Sequence, residues 1–163
     1  MPTSYLENIP DIIKLAQSVK PESVMDCGIG CGKYGLLCRE YIPELKTLTA
    51  IEAWSPYLKD YPWLTEIYDS VYVGDLRTAP LQNRDLYLLV DVIEHLTKEE
   101  GFDLIRRMKS VAKHVLISTP KLEYYAHYHN PFEDHKSHWI ASDFTGFTLE
   151  DHSTDLSTIV LLK

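Results

Sequence analysis

The sequence predicts an α/β fold: a doubly wound, mostly parallel sheet with helices on both faces and a closing antiparallel hairpin at the C-terminal end. Three observations lead there. Short runs of β-forming residues alternate repeatedly with helix-compatible segments. The first run, Val24-Met25-Asp26-Cys27, passes directly into Gly28-x-Gly30-x-Gly32 and then into a helix start, a turn that bares backbone N–H groups to a ligand. Acids stand at the tips of separate runs, Asp26, Glu52, Asp75 and Asp91, which a parallel sheet brings to one edge.

At 163 residues the chain has the length of one domain, 1–163, and with 45% hydrophobic residues it can fill a core. No apolar run reaches membrane-spanning length, and Met1 to Lys20 is polar and amphipathic, unlike a signal peptide. A cytoplasmic protein without a membrane partner is expected. The formal charge of −8, from 24 acids against 16 bases, disfavours tight binding of RNA or DNA through the whole surface. Arg106-Arg107-Met108-Lys109 concentrates positive charge and reads as the solvated side of a helix. Cys27, Cys31 and Cys38 lack metal-type spacing and read as small thiols packed near the turn.

In chain order, Ser4 to Ser18 reads as an amphipathic helix with Leu6, Ile9, Ile13 and Ala16 on one side and Tyr5 placed to touch a ligand. Ser23 to Cys27 is the first strand; Lys33 to Tyr41 is the helix after the glycine turn, stopped by Pro43. Lys46 to Ala53 is the second strand. Pro56 to Tyr61 is a short helix or turn, and Val71 to Gly74 the third strand. Arg84 or Asp85 to Val90 is so continuously apolar that both faces must be covered. Thr97 caps a helix through Val111, with Glu100 completing a capping box. His114 to Ser118 is the fifth strand, ended by Thr119-Pro120. Lys121 to Ser137 has little periodicity and holds Tyr124, Tyr125, His127, Tyr128 and His129, a candidate substrate lid or surface decoration. His138 to Phe144 reads as a short helix, and Thr148 to Asp151 with Thr158 to Leu162 as the hairpin.

The acids narrow the ligand. Asp26 stands two positions before the first glycine, where a dinucleotide site usually carries an apolar residue because pyrophosphate is itself anionic. A carboxylate there suits a ligand with a cationic end. Glu52, at the tip of the second strand, can accept hydrogen bonds from both ribose hydroxyls of a nucleoside at once. Ala53 and Trp54 follow and can pack on a base. Gly74-Asp75-Leu76 offers an acceptor for an adenine amino group and a backbone N–H.

Asp26-x-Gly28-x-Gly30-x-Gly32 with Glu52, Asp75 and Asp91 resembles the class I S-adenosylmethionine (SAM) methyltransferases. The resemblance implies a Rossmann-like fold, with Asp26, Gly28, Gly30 and Gly32 lining the methionine part of SAM. It implies Glu52 at the ribose, Asp75 with the Leu76 N–H at the adenine, and Asp91 beside the amino acid end or the sulfonium. Transfer of a methyl group to an O or N nucleophile, on a small-molecule acceptor, is the activity it implies. The chemistry needs alignment with the sulfonium and help in removing a proton.

Asp91-x-x-Glu94-His95, followed by His135, is similar to the metal-dependent methyltransferases that modify the 2′-hydroxyl of small RNAs. That likeness implies a divalent ion held by Asp91, Glu94, His95 and His135, with Asp91 standing where that family has a Glu. Asp-Val-Ile-Glu-His-Leu also resembles ubiquinone-pathway-type O-methyltransferases, where no metal is used. His95 or His135 is then a candidate general base. The rivals are a nicotinamide oxidoreductase using Gly30-x-Gly32-x-x-Gly35 and a non-catalytic SAM-binding partner. The sequence does not indicate an oligomeric state.

Overall fold

The computed structural model describes residues 4–122 and 130–163. The tyrosines and histidines named above between Tyr124 and His129 lie outside the described residues, and the lid reading with them.

The elements, in chain order, are α1 (Ile9–Ser18), β1 (Ser23–Cys27), α2 (Lys33–Tyr41), β2 (Thr47–Glu52), α3 (Pro56–Asp60), α4 (Leu64–Ile67), β3 (Ser70–Val73), β4 (Arg84–Val90), α5 (Lys98–Lys109), β5 (Ala112–Pro120), β6 (Leu149–Asp151) and β7 (Ser157–Leu162). All seven strands join one sheet in the order β3-β2-β1-β4-β5-β7-β6. β1 to β5 run parallel, and β7 lies antiparallel between β5 and β6. The sheet is therefore mostly parallel and doubly wound, with the expected hairpin at its end.

The apolar runs explain the layering. In β4, Leu86 and Leu88 point to one face and Tyr87 and Leu89 to the other, the period of two that a strand imposes. The first face packs Ile12, Leu15 and Ala16 of α1 and Cys38 of α2. The second packs Leu104, Ile105 and Met108 of α5 with Trp139 and Phe144. Both sides of β4 are thus covered, as its unbroken hydrophobicity requires. The capping box of α5 is present: the Glu100 amide donates to Thr97 Oγ1 at 3.3 Å and the Thr97 amide to Glu100 Oε2 at 2.9 Å.

Several expectations need correcting. Leu6 is 75% exposed, not on the buried side of α1. The chain opens with a 3₁₀ turn, Leu6–Asn8, and the α-helix starts at Ile9, which shifts the phase so that Ile12, Ile13, Leu15 and Ala16 form the buried stripe. The helix expected over His138–Phe144 shrinks to a 3₁₀ turn, Ala141–Phe144. Trp139 is drawn into the core instead, its indole N–H donating to Ser137 Oγ at 2.7 Å. The helix α4 has no counterpart in the sequence reading. Nor is the basic cluster simply solvated: Met108 is fully buried, and Arg107 donates to the carbonyls of Leu76, Arg77 and Ala79.

The winding reverses between β1 and its neighbour β4. In such sheets the loops at the carboxyl ends diverge at that point and leave a crevice.

Candidate active-site cleft

The glycine turn lies at the carboxyl end of β1. Gly28, Gly30 and Gly32 all have left-handed backbones, with φ of 71°, 52° and 83°. Residues with a Cβ avoid that region, which is why the alternation of glycines is needed. The Gly28 amide is held by the Ile51 carbonyl of β2 at 2.8 Å. Gly32 caps α2 and faces α4, where a Cβ would meet Leu64 Cδ2 at 2.6 Å. Its role is packing away from the cleft.

Asp26 lies beneath this turn, only 3% exposed, not in the cleft lining where the resemblance put it. Its carboxylate accepts from the Tyr68 hydroxyl at 2.5 Å and from the Gly35 amide. Burial pushes its pKa up to about 6, against the lowering effect of both bonds. Gly35 makes the Tyr68 contact sterically feasible: a Cβ there would lie 2.3 Å from the Tyr68 hydroxyl. The same acid pushes the buried Cys27 and Cys38 thiols up, after the larger effect of burial, so these cysteines are inert fillers. Among the described residues all three cysteines are free.

Glu52, at the tip of β2, is 5% exposed and spans two backbone donors. Its Oε2 accepts from the Gly30 amide at 3.2 Å and its Oε1 from the Trp54 amide at 2.7 Å. Burial raises its pKa, with Glu133 adding repulsion. A carboxylate has lone pairs beyond these two bonds, and Glu52 lines the cleft with Ala53. Asp75, Leu76 and Arg77 line it on the β3 side. Both Asp75 oxygens are engaged by Arg77, whose Nη1 also donates to Glu100 at 2.8 Å.

Asp91 follows β4 with φ of 53°, a strained backbone for a residue with a side chain, and such strain gathers at functional sites. Burial raises its pKa, while a hydrogen bond from the Ser4 side chain and the charge of Lys33 favour the anion. The N-terminal segment therefore does reach this region, through Ser4; Tyr5 is not in the described cleft lining.

Glu94, His95 and His135 bring one ligand-type atom each to within 4.8 Å of one another. Asp91 is not part of that group, because Ile93–His95 is a 3₁₀ turn entered through the left-handed Asp91, and not the α turn that would align all positions. Glu94 is 2% exposed, its pKa raised strongly by burial and then by Asp91; its Oε2 accepts from the Thr119 hydroxyl at 3.0 Å. His95 is driven down to about 4 by burial and by its neighbour His135, whose ring stands edge-on at 5.1 Å. Burial lowers His135 as well. Both imidazoles are neutral at pH 7. The segment carrying His135 is tied down by the Lys136 and Ser137 amides, which donate to the Glu94 carbonyl at 2.7 and 3.1 Å.

One cleft thus gathers Gly28, Gly30, Glu52, Ala53, Asp75, Leu76, Asp91 and His95. Sequence reasoning missed Tyr57 and Arg77 in its walls; Asn130, Phe132, Glu133 and Lys136 also line it, from the stretch read as a candidate lid without these residues being singled out for the cleft. The Tyr57 hydroxyl donates to Glu133 Oε1 at 2.9 Å, joining the side beyond β2 to the side beyond β5. The signal for the 130s was Asn130-Pro131-Phe132, where the Phe132 amide donates to Asn130 Oδ1 at 3.0 Å in an Asx turn.

No protein-family model and no curated protein matches the sequence. Solved structures do. The small RNA methyltransferase HEN1 superposes with a TM-score of 0.73 at 16% identity, over 100% of this chain and 26% of its own. The methyltransferase domain of bacterial CtHen1-CN gives 0.70 at 18% identity, over 98% of this chain and 100% of that one. Human N-acetylserotonin methyltransferase in complex with SAM gives 0.71 at 16% identity, over 96% of this chain and 51% of that one. This chain thus spans about a quarter and about a half of the first and third of these. What they share with it is the class I SAM-dependent methyltransferase fold.

Proposed function

We propose that the chain binds SAM across the carboxyl ends of β1 to β4 and transfers its methyl group to an O or N nucleophile. The observation that carries this reading is the left-handed glycine turn facing a buried Glu52, with Asp75 and Asp91 in the same cleft. Gly28 and Gly30 give the methionine part close access to backbone. Glu52 takes the ribose hydroxyls, Asp75 and the Leu76 N–H the adenine, and Asp91 the amino end. Asp26 acts from below, holding the turn against Tyr68 and α2. The Asp91 carboxylate in the cleft would repel the pyrophosphate of a nicotinamide dinucleotide, whereas Glu52 suits the ribose of either ligand, so it is Asp91 that argues against the oxidoreductase alternative.

The acceptor at the charge of −8 is a small molecule in the first reading. A specific observation favours a second one: the Glu94, His95 and His135 group fits a divalent ion. Both imidazoles are neutral, as ligands must be, and a carboxylate completes the set. When bound, such an ion polarises a hydroxyl for attack, the chemistry of 2′-O-methylation of RNA. A pKa of about 4 also makes His95 a weak proton acceptor at pH 7, so ligation suits it better than base catalysis.

Calorimetry with S-adenosylhomocysteine tests the first reading. Wild type binds, and Glu52→Ala and Gly30→Val lose at least about tenfold, since each removes a charge-assisted contact or fills the turn. No affinity in the wild type would overturn it. Equilibrium dialysis with Mn²⁺ or Mg²⁺ tests the second: uptake by wild type, lost in His135→Ala, is expected, and equal uptake by both rules it out.

A further inference from the structure

We infer that Arg107 of α5, together with Arg77, is a positioning residue that presets the loop Gly74–Ala79 to read the base of the bound nucleoside. The inference rests on the SAM reading above and goes beyond it, since neither arginine belongs to the motif that suggested the cofactor.

The loop between β3 and β4 has no regular structure of its own, yet it carries Asp75 and Leu76 into the cleft. A loop of this kind needs its carbonyls satisfied to hold one shape. Arg107 does this from the far side. Its Nη1 donates to Leu76 O at 3.1 Å and Arg77 O at 2.7 Å, and its Nη2 to Ala79 O at 2.6 Å. One planar guanidinium thus spans three carbonyls from two nitrogens held in a fixed fork, a reach that the single nitrogen of a lysine on its flexible stem does not reproduce. The second tie is a side-chain relay. Glu100 of α5 accepts from Arg77 Nη1 at 2.8 Å, and Arg77 Nε donates to both Asp75 oxygens at 3.0 and 2.9 Å. The Arg77 guanidinium holds Glu100 down to about 2 and Asp75 below the usual carboxylate range, so the relay is fully charged at neutral pH. Asp75 is therefore kept an acceptor and aimed. An acceptor at that place selects a 6-amino purine over a 6-oxo one, which would set a carbonyl against the carboxylate.

The experiment compares two ligands on one protein. S-Adenosylhomocysteine and S-inosylhomocysteine, which carries a 6-oxo group, are titrated calorimetrically into wild type, Arg107→Lys, Arg77→Gln and Glu100→Gln. Wild type prefers the adenosyl ligand, and each variant loses about tenfold of that preference, the scale of one hydrogen bond to a charged group. A general loss of stability would weaken both ligands alike and leave their ratio unmoved, and that result overturns the inference. Arg77→Gln breaks the relay at a residue that also lines the cleft; Glu100→Gln, which lies outside that lining and weakens the same relay from α5, carries the test should Arg107→Lys fail to fold. Wild type binding both ligands equally sinks the base-reading role while leaving the cofactor reading standing. Binding of neither removes the cofactor reading itself, and this inference with it.

Discussion

Replacing Asp26 by Asn should change how the stability of this protein depends on pH, by an amount that follows from its surroundings. The folded-state pKa is about 6 against an ordinary 3.8. At about 1.4 kcal/mol per pH unit, that difference is worth about 3 kcal/mol. The sign follows from which state holds the proton. Between pH 3.8 and about 6 the folded chain keeps a proton that the unfolded chain has released. Stability from this group is thus fully present below pH 3.8 and is lost as pH rises through 6. An Asn cannot titrate. It keeps an acceptor for Tyr68 but turns an NH₂ toward donors such as the Gly35 amide, a pH-independent cost of about 1–3 kcal/mol. The absolute stability of the variant therefore decides nothing, whereas its difference from wild type does. Urea unfolding at pH 4 and pH 7 should show that difference shifting by about 2 kcal/mol in favour of the variant at the higher pH, most of the full amount. A difference that stays constant across this range would refute the assignment of a buried, reluctant carboxylate beneath the turn.

Two further outcomes are expected. Gly35→Ala drives a methyl into the Tyr68 ring and should lower stability by about 1–3 kcal/mol, read as a fall in the thermal midpoint; an unchanged midpoint would show that Tyr68 has another place to go. Tyr57→Phe removes the bond to Glu133 that joins the two walls of the cleft. It should speed release of S-adenosylhomocysteine several-fold, the scale of about 1 kcal/mol for a half-exposed bond to a carboxylate, measured by stopped-flow displacement. Release at the wild-type rate would mean that these walls are held by other contacts.

How much was legible depended on whether a feature is local. The glycine alternation, the continuous apolarity of β4 and the capping box of α5 each announce themselves within a few residues, because backbone sterics and strand period act over that range. That Glu52 and Asp91 stand at the ends of runs was legible in the same way, and both line the cleft. Leu6 was misplaced because a 3₁₀ turn resets helical phase and leaves no mark in the hydrophobic pattern. Asp26 lies beneath the turn and outside the cleft lining: an acid beside a glycine turn looks the same whether it faces a ligand or a buried tyrosine. The partner that decides, Tyr68, is forty-two positions away.

The order of elements, the position of the turn and the edge to which the acids gather belong to the sequence alone, since a parallel sheet built from these runs carries their tips to one side. Tertiary structure decided which of those acids reaches the cleft and which lies beneath it. It also decided that Arg107 grips a loop, and that Glu94, His95 and His135 converge without Asp91. Those outcomes depend on contacts between residues far apart in the chain, and such contacts are set by how layers pack and which polar groups burial leaves to be satisfied.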